Sequence, residues 1–414
     1  MDLKGKKIVL GITGGIAAYK CAELVRRWVR NGAEVDVVMT QAAQEFITPL
    51  TMETLSNRKV HTSLFPEAEF SATVHIDLAD RADVVIIAPA TADFIAKISH
   101  GAGDDLLSTV CLAAWRKTIL APAMNSNMWA NPAVQENLQI LEKRGYLIIH
   151  PDTGDLACGY EGVGRLPDPY VIDHWLGYFL HPKTLLKGKT VLVTAGRTEE
   201  EIDPVRLITN RSSGKMGFAL ARQAFYNGAR VILIAGPNEQ NPLPGIEYHQ
   251  VTTAEEMYEK VTETVDPADI VIANAAVSDY RSRDVFFRKV KKEKETMDLH
   301  LVANPDILAQ LGVRKGKRIL VGFALETDNE HANAKEKLRK KNLDLIVLNN
   351  PTEDGAAFGY DTNKVTIFKK RGKPLEIPVM SKDEVAEKII QEIGTLISET
   401  APARIEKRKP KKKK

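Results

Sequence analysis

Leu186–Thr198 reads LKGKTVLVTAGRT, and Leu3–Gly15 has already read LKGKKIVLGITGG. The likeness runs on in order. Arg30–Thr40 (RNGAEVDVVMT) returns as Tyr226–Pro237 (YNGARVILIAGP), and Ala82–Asp93 (ADVVIIAPATAD) returns as Ala268–Asp279 (ADIVIANAAVSD). Arg116–Asn125 (RKTILAPAMN) returns as Lys317–Glu326 (KRILVGFALE). Each piece is a short β-branched apolar run that ends in small residues and precedes a helical pattern, the mark of βαβ units in a parallel sheet. The chain is therefore expected to hold two doubly wound, mainly parallel α/β domains, each binding ligand where strands end and helices begin. The spacing places them at residues 1–181 and 190–400, with 182–189 as linker. The turn after the first strand is longer in the second half (Glu199–Arg211), and Phe286–Leu308 is extra, so the halves should differ in chemistry.

With 414 residues, two domains are the expected count. The hydrophobic fraction of 44% is that of an ordinary globular protein, and no apolar run is long enough for a membrane span. Cys21, Cys111 and Cys158 are too far apart for a disulfide framework or a metal pattern, and a reducing, cytoplasmic setting fits. The net charge of +3 conceals an asymmetry: Arg404–Lys414 holds eight bases and one acid, so +3 less +7 leaves the body at −4. That tail, 401–414, reads as a solvated disordered segment; no aromatic or motif accompanies it, so nucleic acid is not expected as a partner.

In the first half, Gly14 and Gly15 open a helix and let backbone N–H groups approach an anion. GxGxxG is missing, which argues against a dinucleotide. Thr40 could add a hydroxyl to the same anion or simply cap a helix. Thr91 ends the third strand among small residues that leave room for a flat ligand. Pro122–Met128 (PAMNSNM) offers Asn donors for a carboxylate and Met packing for a ring, or is an ordinary polar turn. His75 on its own reads as structural. Cys158 lies in GDLACGYEGVGR (Gly154–Arg165), whose glycines suggest a mobile lid.

In the second half, Asn210, Ser212, Ser213, Gly214 and Lys215 form either an anion cradle or a plain helix entrance; no Walker A pattern is present. Asp279 could reach a ribose, a base edge or Mg2+. Lys289 follows an apolar pair within a charged stretch. Asn304–Leu308 turns into a helix. Lys337 and Lys341, on a helix expected to begin near Ala332, share one face.

The segments GITGGIAAYK, TVHIDLAD, APATAD, GAGDDLL, PAMNSNM and LACGYEGVGR resemble the flavin-dependent cysteine decarboxylases. TAGRTEEEIDPVR, ITNRSSGKMG, ANAAVSDY, NPDIL, GFALET and KLRKKNLD resemble the ligase half of the bifunctional phosphopantothenoylcysteine decarboxylase/phosphopantothenate–cysteine ligases of coenzyme A synthesis, and the first half resembles their decarboxylase. The resemblance implies a flavodoxin-like FMN domain followed by a Rossmann-like CTP domain. For FMN it implies Gly14, Gly15, Thr40, Thr91 and Met124, with His75 as base, Asn125 on the substrate carboxylate and Cys158 as proton donor. For CTP it implies Ala273, Asn274, Ala275, Asp279, Lys289, Asn304, Pro305, Asp306, Ile307, Phe323, Lys337 and Lys341. Asn210 would support acyl-cytidylate formation, Arg206 would lie on the substrate side, Lys289 would also act in catalysis, and Asp279 would hold Mg2+. The implied substrates are 4′-phosphopantothenate, L-cysteine and CTP. The implied assembly is a homo-oligomer with ligase dimers and decarboxylase trimers, combining into a dodecamer.

Overall fold

The structure is a computed structural model of the whole chain; it describes residues 3–65, 73–155, 159, 161–181, 184–291, 297–326, 329–349 and 360–400. The chain divides into two units, Met1–His181 and Pro182–Lys414.

In the first unit the strands β1 (Lys7–Ile12), β2 (Glu34–Met39), β3 (Val84–Ala90), β4 (Thr118–Pro122) and β5 (Leu147–Ile148) make one parallel sheet in the order β2-β1-β3-β4-β5. Nearly every residue of β1 to β4 is buried, because helices cover both faces. The first crossover starts as a 3-10 turn (Ile16–Lys20) and continues as α1 (Cys21–Arg30). The others in this unit are α2 (Pro49–Ser56), α3 (Val74–Arg81), α4 (Ala92–His100), α5 (Leu106–Ala113), α6 (Ser126–Trp129), α7 (Pro132–Lys143) and α8 (Pro169–Leu180). Helices α1, α2 and α8 pack with Leu10, Ile12 and Ile86 on one face, whereas α3, α4, α5 and α7 pack with Val9, Val85 and Ile87 on the other. The strand order reverses between β1 and β3, which opens a crevice at their C-terminal ends. The glycine-rich segment expected to be a loop is instead an antiparallel hairpin, β6 (Asp152–Asp155) and β7 (Glu161–Arg165).

The second unit repeats this frame and extends it. Strands β8 (Thr190–Ala195), β9 (Glu199–Asp203), β10 (Arg206–Thr209), β11 (Arg230–Ala235), β12 (Glu247–Gln250), β13 (Ile270–Ala273), β14 (Tyr280–Ser282), β15 (Leu301–Ala303), β16 (Ile319–Leu325), β17 (Leu345–Asn349), β18 (Thr362–Lys369) and β19 (Leu375–Ser381) alternate with α9 (Lys215–Tyr226), α10 (Ala254–Thr264), α11 (Ile307–Val313), α12 (Glu330–Lys340) and α13 (Lys382–Thr400). The main sheet runs β12-β11-β8-β13-β16-β17-β18-β19, with every pairing parallel except β17–β18 and β18–β19. Helices α10, α11 and α12 pack with Leu192, Ile234 and Leu320 on one face. Helix α9 takes the alternate face, so close that a Cβ on Gly217 would stand 2.4 Å from the Ala195 Cβ. Leu186, expected in the linker, is fully buried and its amide bonds to the Asn227 carbonyl, so it belongs to the second fold. The longer turns form two small hairpins, β9–β10 and β14–β15, joined where the Phe286 amide donates to the Ile202 carbonyl. Among the described residues no helix is long and apolar enough to cross a membrane. The basic tail lies outside the described residues.

Candidate functional site

At the crevice of the first unit, three strand exits are tied to one another. The Thr13 hydroxyl donates to the Pro89 carbonyl at 2.6 Å and accepts from the Thr91 amide at 3.1 Å. The Thr40 amide donates to the Ile12 carbonyl. These bonds bring Gly14, Gly15, Thr40 and Thr91 to one sheet edge. Thr40 and Thr91 each cap the helical turn they open, accepting from the Ala43 and Phe94 amides. Gly14 is needed as glycine, since a Cβ there would lie 2.4 Å from the Ala42 Cβ. Gly15 has no such neighbour and faces open space apart from Thr91 and Pro89 side chains at 3.7 and 3.8 Å.

The exit of β4 carries Met124 and Asn125. Asn125 caps the short α6, its side-chain oxygen accepting from the Asn127 amide at 2.8 Å. The hairpin β6–β7 is docked on this exit: the Met124 amide donates to the Gly164 carbonyl at 2.9 Å. A Cβ on Gly164 would come within 2.1 Å of the Met124 carbonyl oxygen, and one on Gly162 within 2.8 Å of the Ser126 hydroxyl. His75 lies in the first turn of α3, half buried beside the core residue Val74. Cys158 lies outside the described residues.

In the second unit a cavity of about 690 Å3 opens at the C-terminal ends of β8, β13, β16 and β17. It gathers Asn210, Ala273, Asn274, Ala275, Asp279, Asn304, Pro305, Asp306, Ile307, Phe323, Lys337 and Lys341 from five separate stretches of sequence. Its walls are cross-tied. The Ala275 amide donates to the Thr194 hydroxyl, Asn210 Nδ2 donates to the carbonyls of Ala276 and Val277, and Asn304 Nδ2 donates to that of Ser278. Lys337 pairs with Glu326 at 2.6 Å and Lys341 with Asp306 at 2.8 Å, so both ammonium groups are held at the rim by carboxylates.

Two expected site residues stand elsewhere. Lys289 is exposed and does not line this cavity. Arg206 does not line it either and is held in an ion pair with the enclosed carboxylate of Asp203 at 2.6 Å. The reason is local. Arg206 also donates to the Val290 carbonyl, and Asp203 accepts from the Val290 amide, so the pair clamps the peptide that follows Lys289. Burial pushes the Asp203 carboxyl up, but Arg206 and three backbone N–H groups outweigh it and hold it well below the usual carboxylate range.

The chain matches the Flavoprotein family model over residues 1–176 and that of the DNA/pantothenate metabolism flavoprotein C-terminal domain over residues 186–396. The coenzyme A biosynthesis bifunctional protein CoaBC of Bacillus subtilis (strain 168) is 47% identical over 401 residues, covering 96% of this chain and 99% of that protein. The chain belongs to the CoaBC family. Its two units are thus the two parts of a bifunctional enzyme of coenzyme A biosynthesis, the first of them a flavoprotein. The CoaBC protein of Escherichia coli (strain K12) is 43% identical over 404 residues, with 96% and 99% covered. A crystal structure of a CoaBC C-terminal domain is 41% identical, covers 52% of this chain and 99% of its own, and has a TM-score of 0.45.

The CoaBC cavity of this chain also holds residues that sequence reading passed over: Asn349, Asn363 and Lys382. Lys382 opens an ordinary amphipathic helix, α13, and lies far along the chain from every motif. Only the pairing of β18 beside β17 brings it to the edge.

Proposed function

We propose that the second unit joins 4′-phosphopantothenate to L-cysteine at the expense of CTP, and that the first unit decarboxylates the product to 4′-phosphopantetheine with FMN. One observation carries the reading: a single cavity collects Asn210 and every expected nucleotide residue but Lys289 from five scattered stretches, with paired lysines at its rim. The acid's carboxylate attacks the CTP α-phosphate, giving an acyl-cytidylate and pyrophosphate; the cysteine amine then displaces CMP. Lys337 and Lys341 exchange their carboxylate partners for phosphate oxygens, and lysines suit charge that migrates between phosphates. Asn210, anchored to the Ala276–Val277 peptide, holds the loop against the reacting centre. Asp279 is one exposed carboxylate at the cavity, which suits a Mg2+ that arrives with the nucleotide and keeps most ligands from phosphate and water.

In the first unit the residues present fit FMN. Gly14, Gly15 and the capped turns at Thr40 and Thr91 present backbone donors to a phosphate, with Met124 beside the space for the ring. Bound FMN would supply the electron sink that amino-acid side chains lack. Asn125 holds the substrate carboxylate, His75 acts as base, and Cys158 donates a proton at a site closed to water.

The assembly proposed is a cytoplasmic homo-oligomer of ligase dimers and decarboxylase trimers. Its support is exposed apolar surface: Val205, Leu207, Phe286 and Phe287 on the paired hairpins, and Ile16, Tyr19, Phe46 and Leu50 beside the glycine turn. The test is purified protein with CTP, 4′-phosphopantothenate and cysteine, read by mass spectrometry. The expected products are the cysteine adduct, then the same adduct less carbon dioxide; formation of neither rejects the reading.

A further inference from the structure

The second unit's cavity is cationic on both faces of its sheet. Lys337 and Lys341 come from α12, on the face that carries α10 to α12. Helices α9 and α13 pack together on the opposite face, and their first residues, Lys215 and Lys382, line the same cavity. A lysine in the first turn of a helix sits at the positive end of the dipole, where a cation is disfavoured. Here two of them stand at neighbouring helix starts.

Among the described residues, Asp361 carries a carboxylate beside them. Lys215 Nζ lies 2.6 Å from Asp361, whose side chain is 88% exposed. Lys382 is half buried and donates to the Tyr360 carbonyl at 2.5 Å. Asp383, next in sequence, is committed to Arg222. Burial, then the charge of Lys215, lowers the pKa of Lys382, and Asp361 offsets this only in part.

The reaction proposed above brings two polyanions into one cavity. If both phosphate groups used the same lysines, each substrate would exclude the other. Two cationic poles on opposite faces, with the strand ends at Ala273 and Phe323 between them, let each substrate enter from its own side. Their reactive ends then meet beside Asn210.

We propose that Lys215 and Lys382 form a phosphate-binding pole for the acid substrate, distinct from the nucleotide pole at Lys337 and Lys341. This pole makes the ligase prefer the phosphorylated acid to the unphosphorylated one. The proposal rests on the ligase reading and adds to it the assignment of the second anion.

The experiment uses the full chain, with CTP and cysteine and either 4′-phosphopantothenate or pantothenate as the acid. Lys382→Met and Lys215→Met should each raise KM for the phosphorylated acid about ten-fold or more, the loss of one charge-assisted bond. The ratio of kcat/KM values between the two acids should fall by a similar factor, while KM for CTP stays in place. Lys382→Arg should recover most of the preference. Lys341→Met should show the reverse pattern, with KM for CTP raised. A rise in KM for CTP in the Lys382 and Lys215 variants, an equal loss on both acids, or no change would overturn the pole. Parent protein that forms no adduct overturns the ligase reading and the pole with it; parent protein that ligates beside unaffected variants overturns the pole alone.

Discussion

Asn210 shows how much a single side chain decides. Its amide donates to two carbonyls at the exit of β13, at 3.2 and 3.1 Å, and so fixes the loop that faces the cavity. Asn210→Ala leaves those carbonyls to water and frees the loop; ligation should fall about ten- to a hundred-fold, while decarboxylation of supplied phosphopantothenoylcysteine in the other unit is kept. Separate assays of the two steps check this. Asp203 gives a pH signature. Its folded pKa is depressed, so its contribution to stability is present above the unfolded value of about 3.9 and is lost as pH falls through the folded value. The stability gap between the parent protein and Asp203→Asn should be constant from neutral pH to about pH 5 and shrink below that, as read by chemical denaturation at a series of pH values. Lys382 works in the opposite sense. Only the protonated amine binds phosphate, and its pKa lies below the ordinary 10.5, so KM for the phosphorylated acid should begin to rise on the alkaline side of neutrality before that pH is reached. In Lys382→Met that alkaline limb should be missing.

Among the elements, the hairpin β6–β7 departs most from its sequence. Four glycines in a dozen residues suggest a loop without fixed structure. Two of them, Gly162 and Gly164, are there because the neighbouring chain passes where their side chains would stand. Close approach and flexibility ask for the same residue, and one sequence cannot tell them apart. Gly164→Ala should push the hairpin off the Met124 carbonyl, at φ of +146° where alanine is itself strained. Decarboxylation should drop about ten-fold or more, since lid placement governs water exclusion. Flavin retention and ligation should be unaffected, as read by absorbance and by the ligase assay. The strands were legible for a different reason: each is a buried β-branched run, and burial on both faces leaves little else that such a run can be.

For the whole molecule, the two small hairpins of the second unit leave Val205, Leu207, Phe286 and Phe287 exposed among the described residues. Phe287 is 98% exposed. Phe287→Asp should leave the fold of a single copy intact while weakening self-association, which light scattering after size exclusion reads; retention of the parent mass would remove these hairpins from the interface.

Most residues that meet in the second unit's cavity were implied by the resemblance to a known family; the repeated strand pattern by itself determined two α/β units and the end of each sheet where ligands are expected. These features follow from local rules: strand period, burial, and the small residues that a strand exit needs. The tertiary structure alone decided that Arg206 and Asp203 clamp a neighbouring peptide rather than line the cavity, that Lys289 stands outside it, and that Lys382 joins Lys215 at one side of it. Each of these depends on contacts between segments 84 residues or more apart in the chain. Such contacts are set by the packing of the whole unit, and no local pattern records them.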